Sequence, residues 1–470
     1  MVVGELTQEA DLLVIGGGPG GYVAACAAAD AGIPTTLVDA ADALGGVCLR
    51  EGCIPSKALL HVAKIIEEAA AVGKFGVSFA KPRIDVDKLR GWKSGVIRKL
   101  STGVKGLLAG RNVEYLRGQA RFESSSLMHI EGESTARIKF RHCIVATGSV
   151  AKALPESLVP RELCWDAADA LELREVPNRL LVIGGGYIGL ELGQVYASLG
   201  SEVTVIEVLD QILTGVDPDL VKPLQAKLNK QMKAILTSAT LKAVRREGEA
   251  TSVTYVLNGE THTEQFDRIL VSVGRKPNSD GLGLENTKVN IDQRGFIQVD
   301  PQRRTADKRI YAIGDVAGNP MLAHKAMREA KVAAEAIAGK PAIFDPACIP
   351  AVVYTDPEVA WCGITETDAA AKGLDVTISR FQWGASGRAV SMGRPDGLTK
   401  MIFDNKTRRL LGVGVVGVHA GDLISEGVIA MEMAAVAEDL ATAIHPHPAT
   451  SETFGETAEA AFGKAIHGMH

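Results

Sequence analysis

One strand–turn–helix–strand unit occurs twice in this chain, and few folds can accommodate that. Residues 11–40 open with Asp11-Leu12-Leu13-Val14-Ile15-Gly16-Gly17-Gly18-Pro19-Gly20-Gly21, cross an alanine-rich stretch of helical character, and close on Thr35-Thr36-Leu37-Val38-Asp39. Residues 179–208 repeat the plan, from Arg179-Leu180-Leu181-Val182-Ile183-Gly184-Gly185-Gly186-Tyr187-Ile188-Gly189 to Val203-Thr204-Val205-Ile206-Glu207. Gly16 corresponds to Gly184, Gly18 to Gly186, Gly21 to Gly189 and Asp39 to Glu207, always 168 residues apart. In such a unit the first glycine makes the tight turn and the second lets backbone approach a pyrophosphate. The third lets helix pack on strand, and the helix N-terminus offers amides and dipole to the phosphates. The closing carboxylate hydrogen-bonds ribose hydroxyls. A lone G-x-G-x-x-G is equally compatible with a plain glycine-rich turn. Two copies in matching context, with carboxylates at identical spacing, predict two dinucleotide sites in an α/β chain with two Rossmann-like domains.

The 470 residues leave room for about two to four domains. With 50 glycines and 5% aromatics, the composition suits many tight turns between strands and helices. A net charge of −5 argues against non-specific nucleic-acid binding, so no nucleic-acid partner is expected. No apolar run reaches the length of a membrane span. The start, Met1 to Ala10, is short and acidic, unlike a secretory signal or basic transit peptide, so a cytoplasmic address is expected. The seven cysteines (Cys26, Cys48, Cys53, Cys143, Cys164, Cys348 and Cys362) are odd in number and scattered, which is no secreted disulfide framework.

Cys48 and Cys53 lie in Gly45-Gly46-Val47-Cys48-Leu49-Arg50-Glu51-Gly52-Cys53-Ile54-Pro55-Ser56-Lys57. Four residues, one of them glycine, can fold the thiols back to disulfide distance. Pro55 suits the first turn of a helix, so a helix is predicted to begin there. Both sulfurs would then sit near a positive helix end, which favours thiolate. A structural disulfide or two unrelated cysteines are the alternatives; the position just after a nucleotide-binding unit favours redox chemistry.

Cys143–Ser149 and Leu270–Asn278 each read as an apolar strand ending in a turn at a domain's edge. Arg309–Asp315 is a further buried strand ending in Gly-Asp, whose acid can reach a nucleotide's sugar chain or simply cap a helix. The domains are expected at 1–150, holding the first fingerprint and the cysteines; 151–274, holding the second; 275–345, a central domain completing the first site; and 346–470. Helices are predicted near 56–73, 84–110, 323–339, 422–434, 437–443 and 451–466. The last domain reads as α+β, with strands near 350–361, 376–383, 398–403 and 408–418.

Taken together the chain resembles the FAD- and NAD(P)-dependent pyridine nucleotide–disulfide oxidoreductases over essentially its whole length. The resemblance rests on GGGPGG at 16–21, GGVCLREGCIPSKALL at 45–60, ATGS at 146–149, GGGYIGLELG at 184–193, VGRKPN at 273–278, YAIGD at 311–315 and HPHPATSE at 445–452. It is strongest to members that oxidise protein-bound dihydrolipoamide, serving 2-oxoacid dehydrogenase-type complexes. The resemblance implies FAD on Gly16, Gly18, Gly21 and Asp39, with Lys57, Thr147, Gly148 and Asp315. It implies NAD on Gly184, Gly186, Gly189, Glu207 and Gly274. It assigns Cys48 to exchange with substrate, Cys53 to the flavin contact, and Lys57 with Glu191 to stabilising negative charge on the reduced ring. It also implies a homodimer through the C-terminal domain, and as partner the lipoyl domain of an E2 acyltransferase or a lipoyl carrier protein.

Three positions depart from the family pattern: Asp39 for the usual Glu, Arg50 where Asn is common, and Ala449 for the usual Thr. Arg50 is expected to place a cation beside the redox pair. A base is needed to take a proton from the dithiol, and histidine is best suited near neutral pH. Of His445 and His447, only His447 has a carboxylate five residues on, Glu452, matching the family's dyad. No metal is expected: the histidines of the tail, including His467 and His470, follow no zinc spacing. Glu207 predicts NAD, since a carboxylate repels a 2′-phosphate and residues 207–213 contain no arginine. Mercuric reductase, the rival within the family, carries a terminal cysteine pair that Ile466–His470 lacks. A catalytically idle FAD-binding protein, the rival from another class, would not need this set of reactive residues.

Overall fold

A computed structural model describes residues 7–132, 136–248 and 250–467 of the chain. The first repeat forms the strand Thr7–Ile15, the helix Pro19–Asp30 and the strand Thr35–Asp39. These join a parallel sheet ordered Glu114–Ser124, Thr35–Asp39, Thr7–Ile15, Ala136–Val145, Ile310–Ala312. Ala136–Val145 is therefore an interior strand beside Thr7–Ile15, not an edge. Its run Cys143-Ile144-Val145 is fully buried because both sheet faces are covered. Leu12, Val14 and Ile144 pack with Ala24, Ala25 and Ala28 of the first helix and with Ala330 and Ala333 of the helix Ala323–Ile337. Leu13, Ile15, Cys143 and Val145 face Phe122, Phe140 and Ile130 on the other side. Residues 275–345 build no large sheet of their own. Their strand Ile310–Ala312 completes the first sheet and carries the Gly-Asp turn to its end.

The second repeat builds a parallel sheet ordered Ala234–Leu236, Glu202–Ile206, Arg179–Ile183, Arg268–Val271, Cys164–Trp165. Arg268–Val271 is again interior, beside the repeat's first strand, and the edge falls to Cys164–Trp165. The turns that follow the two interior strands pair in an antiparallel ribbon, Ser149–Ala151 with Arg275–Pro277, which joins the two units.

Beyond residue 350 lies an antiparallel sheet ordered Ala351–Val353, Glu358–Gly363, Leu410–Gly417, Leu398–Asp404, Val376–Gln382. The single strand expected at 350–361 is a hairpin, broken at residues 354–357 where Pro357 interrupts the ladder. Helices Ala420–Glu432, Ala437–Thr442 and Glu452–Ala460 follow, the last ending short of the expected 466. Lys400, almost wholly buried, ties this sheet to the second unit: its ammonium donates to Asp217 (2.8 Å), Asp219 (3.1 Å) and Glu366 (2.6 Å). Burial alone would lower its pKa, but the three carboxylates outweigh it and hold it above the ordinary lysine range. Among the described residues no helix is long and apolar enough to cross a membrane.

Candidate active site

Both repeats fold into the same cradle. Gly16 and Gly184 turn with φ of +101° and +108°. A Cβ on Gly21 or Gly189 would stand 1.7 or 2.2 Å from the Gly16 or Gly184 carbonyl oxygen, so helix and strand meet as closely as the third glycine requires. Gly18 and Gly186 differ. Their φ values, −72° and −78°, suit any residue. A Cβ would meet nothing nearer than 3.7 Å at Gly18 and nothing within 4 Å at Gly186. Protein packing does not demand glycine there; both residues line open cavities. These cavities measure about 390 Å³ and about 910 Å³.

The closing carboxylates take equivalent places. Asp39 accepts hydrogen bonds from the Gly17 amide and, at 2.7 Å, from the Ala41 amide. Glu207 accepts from the Gly185 amide at 2.7 Å and the Leu209 amide at 2.9 Å. The shorter arm of Asp39 thus reaches the Gly17 amide, the counterpart of the Gly185 amide that Glu207 holds. Thr147 and Gly148 from one further turn and Asp315 from another line the first cavity, and Gly274 lines the second. Thr147 donates to the Asn278 carbonyl at 2.7 Å. The Ser149 hydroxyl donates to Asp315 at 2.5 Å and accepts from Arg275 Nε at 2.7 Å. Tyr187, Ile188, Arg275 and Met321 line both cavities, so one layer of side chains separates them. Sequence reasoning misses this wall. Its one signal is a break in the repeat, Tyr187 standing where the first copy has Pro19.

The helix expected at Pro55 starts two residues earlier, as Cys53–Ala71, with Pro55 still inside its first turn. Cys53 is its first residue; Cys48 belongs to a separate short helix, Gly46–Glu51. Both are free thiols lining the first cavity. A hydrogen bond from the Cys48 thiol lowers the Cys53 pKa to about 7; burial opposes this and Lys57 assists it. The same bond, with burial, pushes Cys48 up. The negative charge of the pair therefore rests on Cys53. In the reduced protein, alkylation of Cys53 by a thiol reagent should rise through a midpoint at about pH 7. A midpoint in the ordinary cysteine range would contradict this placement of charge.

One helical turn past Cys53, Lys57 Nζ lies 3.1 and 2.8 Å from the two oxygens of Glu191, which is 2% exposed. Tyr354, from the hairpin turn, completes the group. Its amide donates to Glu191 at 2.9 Å, and its ring lies under the Lys57 ammonium, 4.6 Å from the centroid. Glu191 is a buried, fully partnered charge, as its place in an apolar helix requires.

His447 and Glu452 meet as expected: Nδ1 lies 2.8 Å from Oε1, and the other carboxylate oxygen accepts the Ala449 amide at 2.8 Å. Burial opposes ionisation of Glu452, but the Ala449 amide and His447 outweigh it and hold the carboxyl below its usual range. Ala449 contributes backbone only, so the missing threonine side chain leaves this contact intact. Neither dyad member lines the cysteine cavity of its own chain, and the His447 side chain is 79% exposed. His445 faces Glu426 at 3.4 Å and His467 bonds Glu456 at 2.7 Å, so each of these histidines has its own carboxylate. His470 lies outside the described residues, as do Met1 to Leu6.

Two nucleotide cradles separated by one wall, with a dithiol in the first, define a class of flavin- and nicotinamide-linked disulfide oxidoreductase. The family pattern "Pyridine nucleotide-disulphide oxidoreductase" matches residues 10–330, and its dimerisation domain matches residues 349–458. The chain belongs to this family, works as a homodimer, and uses FAD and NAD(H). Among named relatives, the dihydrolipoyl dehydrogenase of Vibrio parahaemolyticus is 46% identical over 96% of this chain and 95% of its own. That of Thermus scotoductus is 47% identical over 97% and 98%. Among solved structures, the Cu(II) complex of the HOCl-induced flavoprotein disulfide reductase RclA from Escherichia coli superposes with a TM-score of 0.86. It is 26% identical, over 96% of this chain and 99% of that one.

Proposed function

We propose that this protein oxidises protein-bound dihydrolipoamide to lipoamide with NAD⁺, through a Cys48–Cys53 disulfide. The observation that carries the reading is the polarised dithiol in the first cavity, with Lys57–Glu191 beside it and the second nucleotide cradle beyond one wall. The first cradle, with Asp39, Thr147, Gly148, Asp315 and Lys57, holds FAD; the second, with Glu207 and Gly274, holds NAD⁺. FAD supplies the two-electron relay between the dithiol and NAD⁺.

The remaining chemistry falls to the chain's own groups. A substrate thiolate attacks Cys48 of the disulfide and Cys53 leaves as thiolate, stabilised by Lys57 and by the Cys48 thiol once that forms. The second substrate sulfur displaces Cys48, so lipoamide closes its ring while the pair holds two electrons. His447 takes one thiol proton of the incoming dithiol at Nε2, because Nδ1 is held by Glu452, and the proton of the second substrate thiol goes to the Cys48 sulfur as it leaves. The exposed dyad is out of place for its own cysteines, and Ile429, Met433 and Ile444 stand exposed in the same C-terminal segment. Both features fit a two-fold dimer in which His447 serves the cysteines of the other subunit. A lipoyl domain on an E2 acyltransferase, or a lipoyl carrier protein, delivers the dithiol. We place the protein in the cytoplasm, where free thiols such as Cys26, Cys164 and Cys348 persist. Flavin-loaded protein that fails to couple dihydrolipoamide oxidation to NAD⁺ reduction would sink the proposal.

Nucleotide preference gives a separate test. Glu207→Ala should weaken NAD⁺ binding by on the order of 1 kcal/mol for each ribose hydrogen bond lost, and relax discrimination against NADP⁺. Wild-type protein turning over NADP⁺ as well as NAD⁺ would refute the assignment.

A further inference from the structure

We propose that Arg50 binds the diphosphate of FAD, as the cationic partner of the amides at the start of the helix Pro19–Asp30. The inference rests on reading the first cavity as the FAD site. By sequence Arg50 lies between the two cysteines, which predicts a cation beside the redox pair. The structure also puts it on the wall of the first cavity. The charges acting most on Cys48 and Cys53 are each other, Lys57 and Glu191. Arg50 instead acts on the Tyr115 hydroxyl together with Asp39, Arg117 and Asp42. That hydroxyl donates to the Ala41 carbonyl at 3.2 Å, just past the ribose-binding carboxylate. Arg50 itself lines the first cavity, whose wall also carries Asp39, Ala40 and Ala41.

Three observations make it a ligand for an anion. The side chain is 23% exposed, and its Nε is buried without a hydrogen-bond partner among the described residues. Leaving a buried donor of a charged group unpaired is costly unless something that binds there satisfies it. Among the described residues its one carboxylate contact is a loose one to the adjacent Glu51, at 3.5 Å. The other cations lining the cavity are engaged: Lys57 by Glu191, and Arg275 by the Ser149 hydroxyl and carbonyl. Finally, the helix carrying Arg50 starts against the phosphate turn, since a Cβ on Gly46 would stand 2.5 Å from Gly18 Cα. One helical turn later Arg50 lines the same cavity. The anionic part of the dinucleotide is its diphosphate, and a guanidinium fork matches phosphate oxygens.

The test compares wild type with Arg50→Gln and Arg50→Met, two variants that remove the charge with different side chains. FAD is titrated into reversibly deflavinated protein, followed by flavin fluorescence, at low and at high salt. Loss of one charge-assisted contact should raise the FAD Kd about 10- to 100-fold and flatten its salt dependence. Arg50→Lys should fall between. In the flavin-loaded variants the pH midpoint of the thiolate-to-flavin absorbance should stay at the wild-type value. Wild-type FAD affinity and salt response in whichever charge-free variant folds would overturn the proposal. So would a shifted midpoint with unchanged affinity, which would return Arg50 to the redox pair. Wild-type protein that takes up no FAD would overturn the cofactor reading itself, and this inference with it.

Discussion

Cys48→Ser and Cys53→Ser are each expected to abolish dihydrolipoamide oxidation, and to differ in colour. No disulfide can form in either variant, so two electrons have no protein acceptor and turnover should fall to background. In Cys48→Ser the remaining sulfur is Cys53, the first residue of its helix, with Lys57 one turn on and Glu191 paired to that lysine. Cys53 should therefore remain ionisable, and the flavin-loaded variant should show thiolate-to-flavin absorbance without added reductant. The serine hydroxyl can donate to Cys53 as the Cys48 thiol does, so the pH midpoint of the band should stay near that of the reduced wild type. Cys53→Ser leaves only Cys48, set back on the short helix Gly46–Glu51, and should show no such band at any pH. The reverse pattern would exchange the two roles, and substantial turnover in either variant would remove the disulfide from the mechanism.

His447→Gln is the second large effect. Removing a positioned base should lower kcat about 10²- to 10⁴-fold, while FAD content and the absorbance of the reduced dithiol stay as in wild type. The same variant tests whether sites are shared. His447→Gln and Cys48→Ser are mixed, unfolded reversibly and refolded. In a mixed dimer whose sites combine His447 of one subunit with Cys48 of the other, one site inherits both lesions and the other neither. Random pairing makes half the dimers mixed, so roughly a quarter of all sites should recover. If both groups of a site come from one chain, every site keeps a lesion and mixing restores nothing. The exposed His447 and its absence from the cysteine cavity of its own chain favour recovery.

What the sequence carries by itself is whatever depends on short stretches of chain. The glycine turns, the carboxylates at equal spacing, the Cys48–Cys53 pair and the His447–Glu452 dyad all span few residues. Local backbone geometry then settles their placement, so residue type and spacing locate them, while the family resemblance supplies the roles of Cys48, Cys53 and His447. Asp39 and Glu207 can be matched from residue spacing alone because the unit between turn and carboxylate folds the same way twice. Differences at this level are small: a helix beginning at Cys53 and not Pro55, and a hairpin where the pattern predicts one strand, since proline marks a boundary only to within a turn. The interior strands Ala136–Val145 and Arg268–Val271 read as edges in the sequence because an apolar run reports burial but not which neighbours supply it.

Tertiary structure alone decided the contacts between distant segments. Lys57 and Glu191 are 134 residues apart, and Tyr354 is a further 163 beyond Glu191. The Gly-Asp turn joins the first sheet only because Ile310–Ala312 pairs with Ala136–Val145. The shared wall of Tyr187, Arg275 and Met321, and the place of Arg50 on the wall of the first cavity, likewise depend on how packed layers bring side chains together. Residue spacing constrains geometry over a turn or a helix; beyond that, the burial of apolar faces against one another sets the distances.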